Sequence, residues 1–280
     1  MSVRLGVDTL CWHLRLELGA LTVEQVLDEA SALACECVQV NLHHVRNRDV
    51  QELRSLAERA RALGLTMLAS GDFLGQARNG DRADVGLGRV NTWLERAAAL
   101  ESPILRVVSG FYRAELAGRP DLIEAERRYV VDVLRACVPA AAAAGILLLL
   151  ENHSDFTAAE YESIVEDVGP GAVGVFLDLI NPVAALDDPL PVVERLAPFA
   201  RAGHVKDYVF QSIQTDDAYH RRGFEVLYRY PGEGVADLPA LVGALTRGVA
   251  GREFFLTVEG LDNRADVDDQ RERLAPSLDL

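Results

Sequence analysis

Eight short apolar runs recur along the chain, and each is followed by a longer segment with apolar positions at helical spacing. The runs fall at residues 5–9, 38–42, 66–70, 104–109, 146–151, 173–178, 202–206 and 254–259. Between them, Val23, Val26, Leu27 and Ala30 form one helical face. Val50, Leu53, Leu56, Ala57 and Ala60 form a second, and Tyr129, Val130, Val133, Leu134 and Val138 a third. Thr22 with Gln25 and Asp121 with Glu124 read as helix openings, and Gly64 and Gly145 as helix stops. Strand and helix alternating throughout predicts parallel strands joined by right-handed crossovers. Eight repeats in 280 residues predict a closed (β/α)8 TIM barrel, one domain over residues 1–280. An open nucleotide-binding sheet would place a glycine-rich turn after the first strand, where this chain reads Asp8-Thr9-Leu10-Cys11-Trp12. Two stretches interrupt the rhythm. Residues 75–88 and 209–234 are polar and glycine-bearing and predict long loops on the C-terminal face, where barrel enzymes work.

The formal charge of −15 repels phosphate backbones and sets nucleic acid aside as a partner. The most apolar run, near residues 140–150, is broken by Gly145 and ends at Glu151, so no membrane span is expected. The start of the chain lacks a basic and apolar leader. Cys11, Cys35, Cys37 and Cys137 follow no metal or disulfide spacing, which together with the leader argument points to the cytoplasm.

Four polar residues end apolar strands: Glu151, Asp178, His204 and Glu259. Taken singly, a strand-end carboxylate reads as readily as a helix cap, and a lone histidine as a satisfied polar side chain. Taken together they come from four consecutive strands whose ends converge at one side of a barrel mouth. Three carboxylates crowded there repel one another unless a cation sits among them. The donor set suits one divalent ion, Mn²⁺ or Mg²⁺, with Co²⁺ or Zn²⁺ admitted by the imidazole. Lys206 is the only lysine in the chain. It lies two residues beyond His204 and so shares the barrel-facing side, either as a catalytic ammonium or as an ion-pair partner of Glu151 or Asp178. His153, two residues beyond Glu151, is a candidate acid or base, or an inert loop residue. Trp12 and His43 follow strands one and two as candidate substrate contacts, Trp12 alternatively as rim packing. Arg106 reads as an interior partner of a carboxylate as well as a substrate contact. Arg221 and Arg222 read as a phosphate grip or as solvated loop residues, and His220 lies beside them.

The set Leu150-Glu151-Asn152-His153, Leu177-Asp178-Leu179-Ile180-Asn181-Pro182, His204-Val205-Lys206-Asp207, Pro231-Gly232-Glu233-Gly234 and Thr257-Val258-Glu259-Gly260 resembles the xylose isomerase-like superfamily of TIM barrels. That superfamily includes sugar phosphate isomerases and epimerases, ketose 3-epimerases, inosose dehydratases and apurinic endonucleases. The resemblance implies a metal held by Glu151, Asp178, His204 and Glu259, with the two glutamates as proton carriers and Asn181 near substrate. It also implies a homodimer or homotetramer. The chain departs from the ketose epimerase pattern at Asn181, where those enzymes usually carry histidine, and after His204, where Asp207-Tyr208-Val209-Phe210 holds no arginine.

The expected chemistry is isomerisation or epimerisation of a sugar or sugar-like keto substrate through a metal-stabilised enediolate, with Glu151, Glu259, Lys206 and His153 as catalytic candidates. Elimination from a keto-sugar or keto-cyclitol uses the same first half and is the alternative. An endonuclease is opposed by charge, and a metal-binding scaffold would leave Lys206 and the strand-end histidines without purpose.

Overall fold

Period-two alternation on eight strands builds both walls of this molecule at once. The computed structural model describes residues 2–213 and 223–260. The barrel strands are β1 (Ser2–Asp8), β2 (Cys37–Asn41), β3 (Thr66–Phe73), β4 (Ile104–Val108), β5 (Leu147–Glu151), β6 (Val173–Asp178), β7 (Ala200–Val205) and β10 (Glu253–Val258). They close in the order β1-β10-β7-β6-β5-β4-β3-β2, all parallel. This is the (β/α)8 barrel that the alternation of runs predicts.

One set of alternating residues, including Val38, Val40, Leu105, Val107, Leu148, Leu150, Val175, Leu177, Leu256 and Val258, packs into the large core beneath the helices. The other set faces the barrel axis. Cys37, Leu68, Ile104, Leu149, Phe176, Ala202 and Phe255 form a separate apolar plug. Two residues further along each of those strands stand Gln39, Ser70, Arg106, Glu151, Asp178, His204 and Thr257, all buried. Asp8 completes this polar layer from β1. The sequence thus stacks an apolar floor and a polar tier inside one barrel, because side chains two apart on a strand share a face.

The helices are α1 (His13–Glu17), α2 (Val23–Ala32), α3 (Val50–Ala62), α4 (Ala83–Ala99), α5 (Pro120–Ala144), α6 (Ala158–Val168), α7 (Pro189–Leu196) and α8 (Leu238–Gly248). Thr22 and Gln25 form the expected capping box, and Gly145 ends α5 at φ 68°. Asp121 does not open a helix. Pro120 starts α5 one residue earlier, and Asp121 pairs with Arg119 at 3.0 Å. Of the face expected on α3, Leu53, Leu56, Ala57 and Ala60 are buried while Val50 is exposed.

The two expected loops are partly ordered elements. Only residues up to Arg82 behave as a loop, and α4 then runs through Gly86 and Gly88. A Cβ at Gly86 would lie 2.8 Å from Val133 and 2.9 Å from the Tyr129 hydroxyl, so that glycine serves close helix packing rather than a turn. In the second stretch, β8 (Asp207–Ser212) and β9 (Phe224–Arg229) pair as an antiparallel ribbon standing beyond β7. Tyr219, His220, Arg221 and Arg222 lie outside the described residues. No helix among the described residues is long and apolar enough to cross a membrane.

Candidate metal centre

The polar tier converges on His204. Its Nδ1 lies 3.4 Å from Glu259 Oε1, 3.6 Å from Asp178 Oδ2 and 3.7 Å from Glu151 Oε1. Four donors with bonds near 2.1 Å around one ion are separated by roughly 3.4 Å when tetrahedral, so these distances fit a shared cation. Glu151, Asp178 and His204 form one mutually close set of donors, and Asp8, His204 and Glu259 another, with His204 common to both. His204 Nδ1 is buried without a hydrogen-bond partner, 3.6 Å from Asp178 Oδ2, whose close partner is the Lys206 ammonium. Buried polar atoms are seldom left without a partner, and the His204 nitrogen points into the ring of carboxylates.

Each donor is held from behind. Asp178 Oδ1 accepts from the backbone N–H groups of Ile180 (2.8 Å) and Asn181 (2.7 Å), which turns Oδ2 toward the centre. Asn152 staples the ends of β5 and β6: its amide donates to the Asp178 carbonyl at 2.8 Å and accepts from the Asp178 N–H at 2.7 Å. Glu151 Oε2 is clamped by Arg106, which also donates to Ser70 Oγ at 2.7 Å. Glu151 Oε1 accepts from Asn181 Nδ2 at 3.1 Å. Asn181 therefore engages a carboxylate of the centre. His204 Nε2 lies 3.2 Å from Asp8 Oδ2, to which Gln39 also donates. An imidazole that donates one ring N–H to a carboxylate leaves its other nitrogen free for an ion.

Lys206 Nζ sits 2.7 Å from Asp178 Oδ2, pairs with Glu259 Oε2, and lies 4.5 Å from the centroid of the Tyr228 ring. The ribbon supplies Tyr228, and Asp207 anchors its far end by accepting from Gly232 (3.2 Å), Gly234 (2.9 Å) and Ala236 (3.0 Å). A Cβ at Gly234 would fall 2.2 Å from Asp207 Oδ1, which accounts for the glycine in that turn.

Charge closes the case for fit. Asp8, Glu151, Asp178 and Glu259 bring four negative charges, and Arg106 and Lys206 bring two permanent positive ones. Two negative charges remain, the amount one divalent ion supplies. Without it, protons respond. Burial works against a charged His204, but Glu259, Asp178, Asp8 and Glu151 outweigh it and raise its pKa well above the ordinary value. Burial likewise opposes ionised Glu151 and Asp178, and the cations beside them, Arg106 and Lys206 respectively, hold both below the usual carboxylate range. Lys206 is held protonated by Asp178 and Glu259 against its burial.

The remaining expected residues are not among the donors, though His153 stands close enough to favour an ionised Glu151. The His153 ring lies edge-on to Phe73 (5.9 Å between centroids) and tilted against Tyr112 (5.4 Å), and its buried Nδ1 has no hydrogen-bond partner among the described residues. Trp12 is 2% exposed and belongs to the core. His43 stands 3.4 Å from Glu17, in a histidine cluster beyond β1 and β2. Asp8, Gln39 and Asn152 are the residues that reading the sequence missed. Asp8 ends its strand as Asp178 does, so the same signal marks it.

Solved structures with the same fold cover nearly the whole chain. D-psicose 3-epimerase of Clostridium cellulolyticum H10 is 14% identical, with 99% of this chain and 97% of that chain covered and a TM-score of 0.76. The IolI protein, solved with a zinc atom, is 16% identical (98% and 96% covered, TM-score 0.72). The probable 3-DHS dehydratase AsbF of Bacillus anthracis is 13% identical (99% and 98% covered, TM-score 0.71). Among curated proteins, none matches the sequence. The family model described as xylose isomerase-like TIM barrel matches residues 27–276, and the chain belongs to that family.

Proposed function

We propose that this protein is a divalent-metal-dependent isomerase or epimerase acting on a sugar or sugar-like keto substrate through an enediolate. The observation that carries the reading is the convergence of Glu151, Asp178 and Glu259 oxygens on one orphaned imidazole nitrogen. An ion held there supplies Lewis acidity to a carbonyl and its neighbouring hydroxyl, which acidifies the carbon between them. Mn²⁺ and Mg²⁺ suit the oxygen-rich set, and Zn²⁺ and Co²⁺ suit the imidazole. The fold relatives include a D-psicose 3-epimerase and a protein solved with zinc, which supports the reading.

The chain's own groups divide the work unequally. Glu151 is fully buried, with one oxygen clamped by Arg106 and the other held by Asn181, so it serves as a ligand. Glu259 has the more accessible side chain, at 14% exposure, and is the proton acceptor. Lys206 stays protonated beside Glu259 and donates a hydrogen bond to the oxygen that gains charge. Proton return by Glu259 to the adjacent carbon gives isomerisation. Epimerisation needs a donor on the opposite face, and His153, with its free Nδ1, is that candidate.

Elimination is a second reading, favoured by Lys206, the one lysine in the chain. An ammonium so placed protonates a departing hydroxyl after Glu259 takes the carbon-bound proton. The fold relative described as a probable 3-DHS dehydratase supports it. Protein reconstituted with Mn²⁺ should exchange substrate C–H for deuterium in D₂O with at least one ketose, ketose phosphate or keto-cyclitol. Glu259→Gln should lose that exchange while keeping metal. In Lys206→Met, exchange that persists while product formation falls marks elimination, and equal losses mark isomerisation. Bound metal with no exchange on any such substrate contradicts the proposal.

A further inference from the structure

Three of the six histidines, His13, His43 and His44, gather after β1 and β2, and the metal centre uses none of them. His44 sits in a 3-10 turn (Leu42–Val45) that starts when Asn41 Oδ1 accepts from the His43 N–H at 3.0 Å. His13 and Glu17 bracket α1, the short helix facing that turn.

His44 is held between two partners. Thr9 Oγ1 accepts from the Asn41 N–H at 3.0 Å and lies 2.9 Å from His44 Nδ1. On its other side His44 Nε2 lies 2.9 Å from His13 Nδ1, so the two nitrogens share one proton between them. A tetrahedral ion with bonds near 2.1 Å spreads its donors to roughly 3.4 Å, so the two nitrogens need part by only about 0.5 Å to share one. One ring nitrogen each of His13 and His44 and one Glu17 carboxylate oxygen lie within 4.8 Å of one another. Arg46 grips that carboxylate at 2.9 and 3.1 Å, keeping it ionised and oriented, and His43 Nε2 stands 3.4 Å from Glu17 Oε1.

We propose that His13 Nδ1, His44 Nε2 and a Glu17 carboxylate oxygen form a second divalent-ion site, distinct from the barrel centre and selective for an imidazole-binding transition ion such as Zn²⁺. Two nitrogens to one oxygen disfavour Mg²⁺ and Mn²⁺. Occupation requires that the proton shared between His13 Nδ1 and His44 Nε2 give way to the ion. The Thr9 hydroxyl behind His44 plays the part that Asp8 plays behind His204, fixing the ring whose other nitrogen binds. The two sites are joined through His44, Thr9, Asp8 and His204.

The test is Zn²⁺ content of the full-length protein after chelation and equilibrium dialysis. Wild type should take up two equivalents, and His44→Gln and Glu17→Gln one each, with thermal unfolding checked to show that both variants fold. Asp178→Asn should lose the other equivalent. Two equivalents retained in both His44→Gln and Glu17→Gln overturn the second site. A single wild-type equivalent that Asp178→Asn abolishes also overturns it and leaves the barrel centre standing. A single equivalent lost in His44→Gln but kept in Asp178→Asn upholds the second site and removes the barrel centre.

Discussion

Replacing Asp8 with asparagine tests whether the centre is held from behind. Four donors converge on this carboxylate. Leu10 N–H (2.7 Å) and the Thr9 hydroxyl (3.5 Å) reach Oδ1, and Gln39 Nε2 and His204 Nε2 (3.2 Å) reach Oδ2. An amide offers one accepting oxygen, so either orientation of an asparagine points N–H groups at N–H or O–H donors. With the amide nitrogen toward His204, the ring loses the partner that fixes its rotation and tautomer. With it toward Leu10, the turn after β1 loses its cap. Removing such a support from a metal-binding histidine lowers metal affinity by about 10–100-fold, or about 1.4–2.7 kcal/mol. The unsatisfied buried donor adds a loss of folding stability of about 1–3 kcal/mol. Chelator competition with Mn²⁺ reads the first quantity and urea unfolding of metal-free protein the second. An Asp8→Asn protein that binds Mn²⁺ within twofold of wild type would refute the reasoning.

Further outcomes follow from the same contacts. Arg106→Met leaves Glu151 buried without its counter-ion and should cost about 3–5 kcal/mol in the metal-free protein; a urea-measured loss below 1 kcal/mol would contradict the clamp. Asn152→Ala leaves the Asp178 backbone N–H and C=O unpaired, at about 1–3 kcal/mol for each group, and should weaken metal binding because β5 and β6 lose their staple; unfolding and chelator competition on one preparation read both effects. The carboxylates around His204 raise its pKa in the metal-free protein, so the ring holds its proton to higher pH than a free imidazole and must give it up to an ion. Affinity should therefore rise with pH, by about tenfold per unit below that raised pKa. Calorimetry at pH 7 in buffers of different ionisation enthalpy should show about one proton released per ion at the barrel centre, and affinity unchanged across pH 6–8 would deny the proton a place on His204.

Much of this was legible in the sequence, and what was missed has physical reasons. Glu151 and Asp178 each close an apolar run, and that contrast alone places them at the barrel mouth. Lys206 and Arg106 were readable as interior cations from the period of a strand. Asp8 carries the same strand-end signal, but its role behind His204 depends on two side chains 196 residues apart meeting across the barrel. Asn152 and Gln39 are uncharged and look like ordinary strand or loop residues until their partners are known. Residues 75–88 read as a loop because glycine lowers helix propensity, yet at Gly86 the absent side chain lets α4 approach Val133 on α5. The ribbon of β8 and β9 was hidden because half of its residues are exposed and neither strand faces a core on both sides, being held by pairing with each other and by Asp207.

The most direct test of the central claim is anomalous scattering from crystals grown with Mn²⁺. A single strong peak is expected among His204 Nδ1, Asp178 Oδ2, Glu151 Oε1 and Glu259 Oε1, with Lys206 bonded beside it. Well-ordered crystals with those four side chains in place and no manganese between them, at a concentration where the protein is otherwise saturated, would contradict the account.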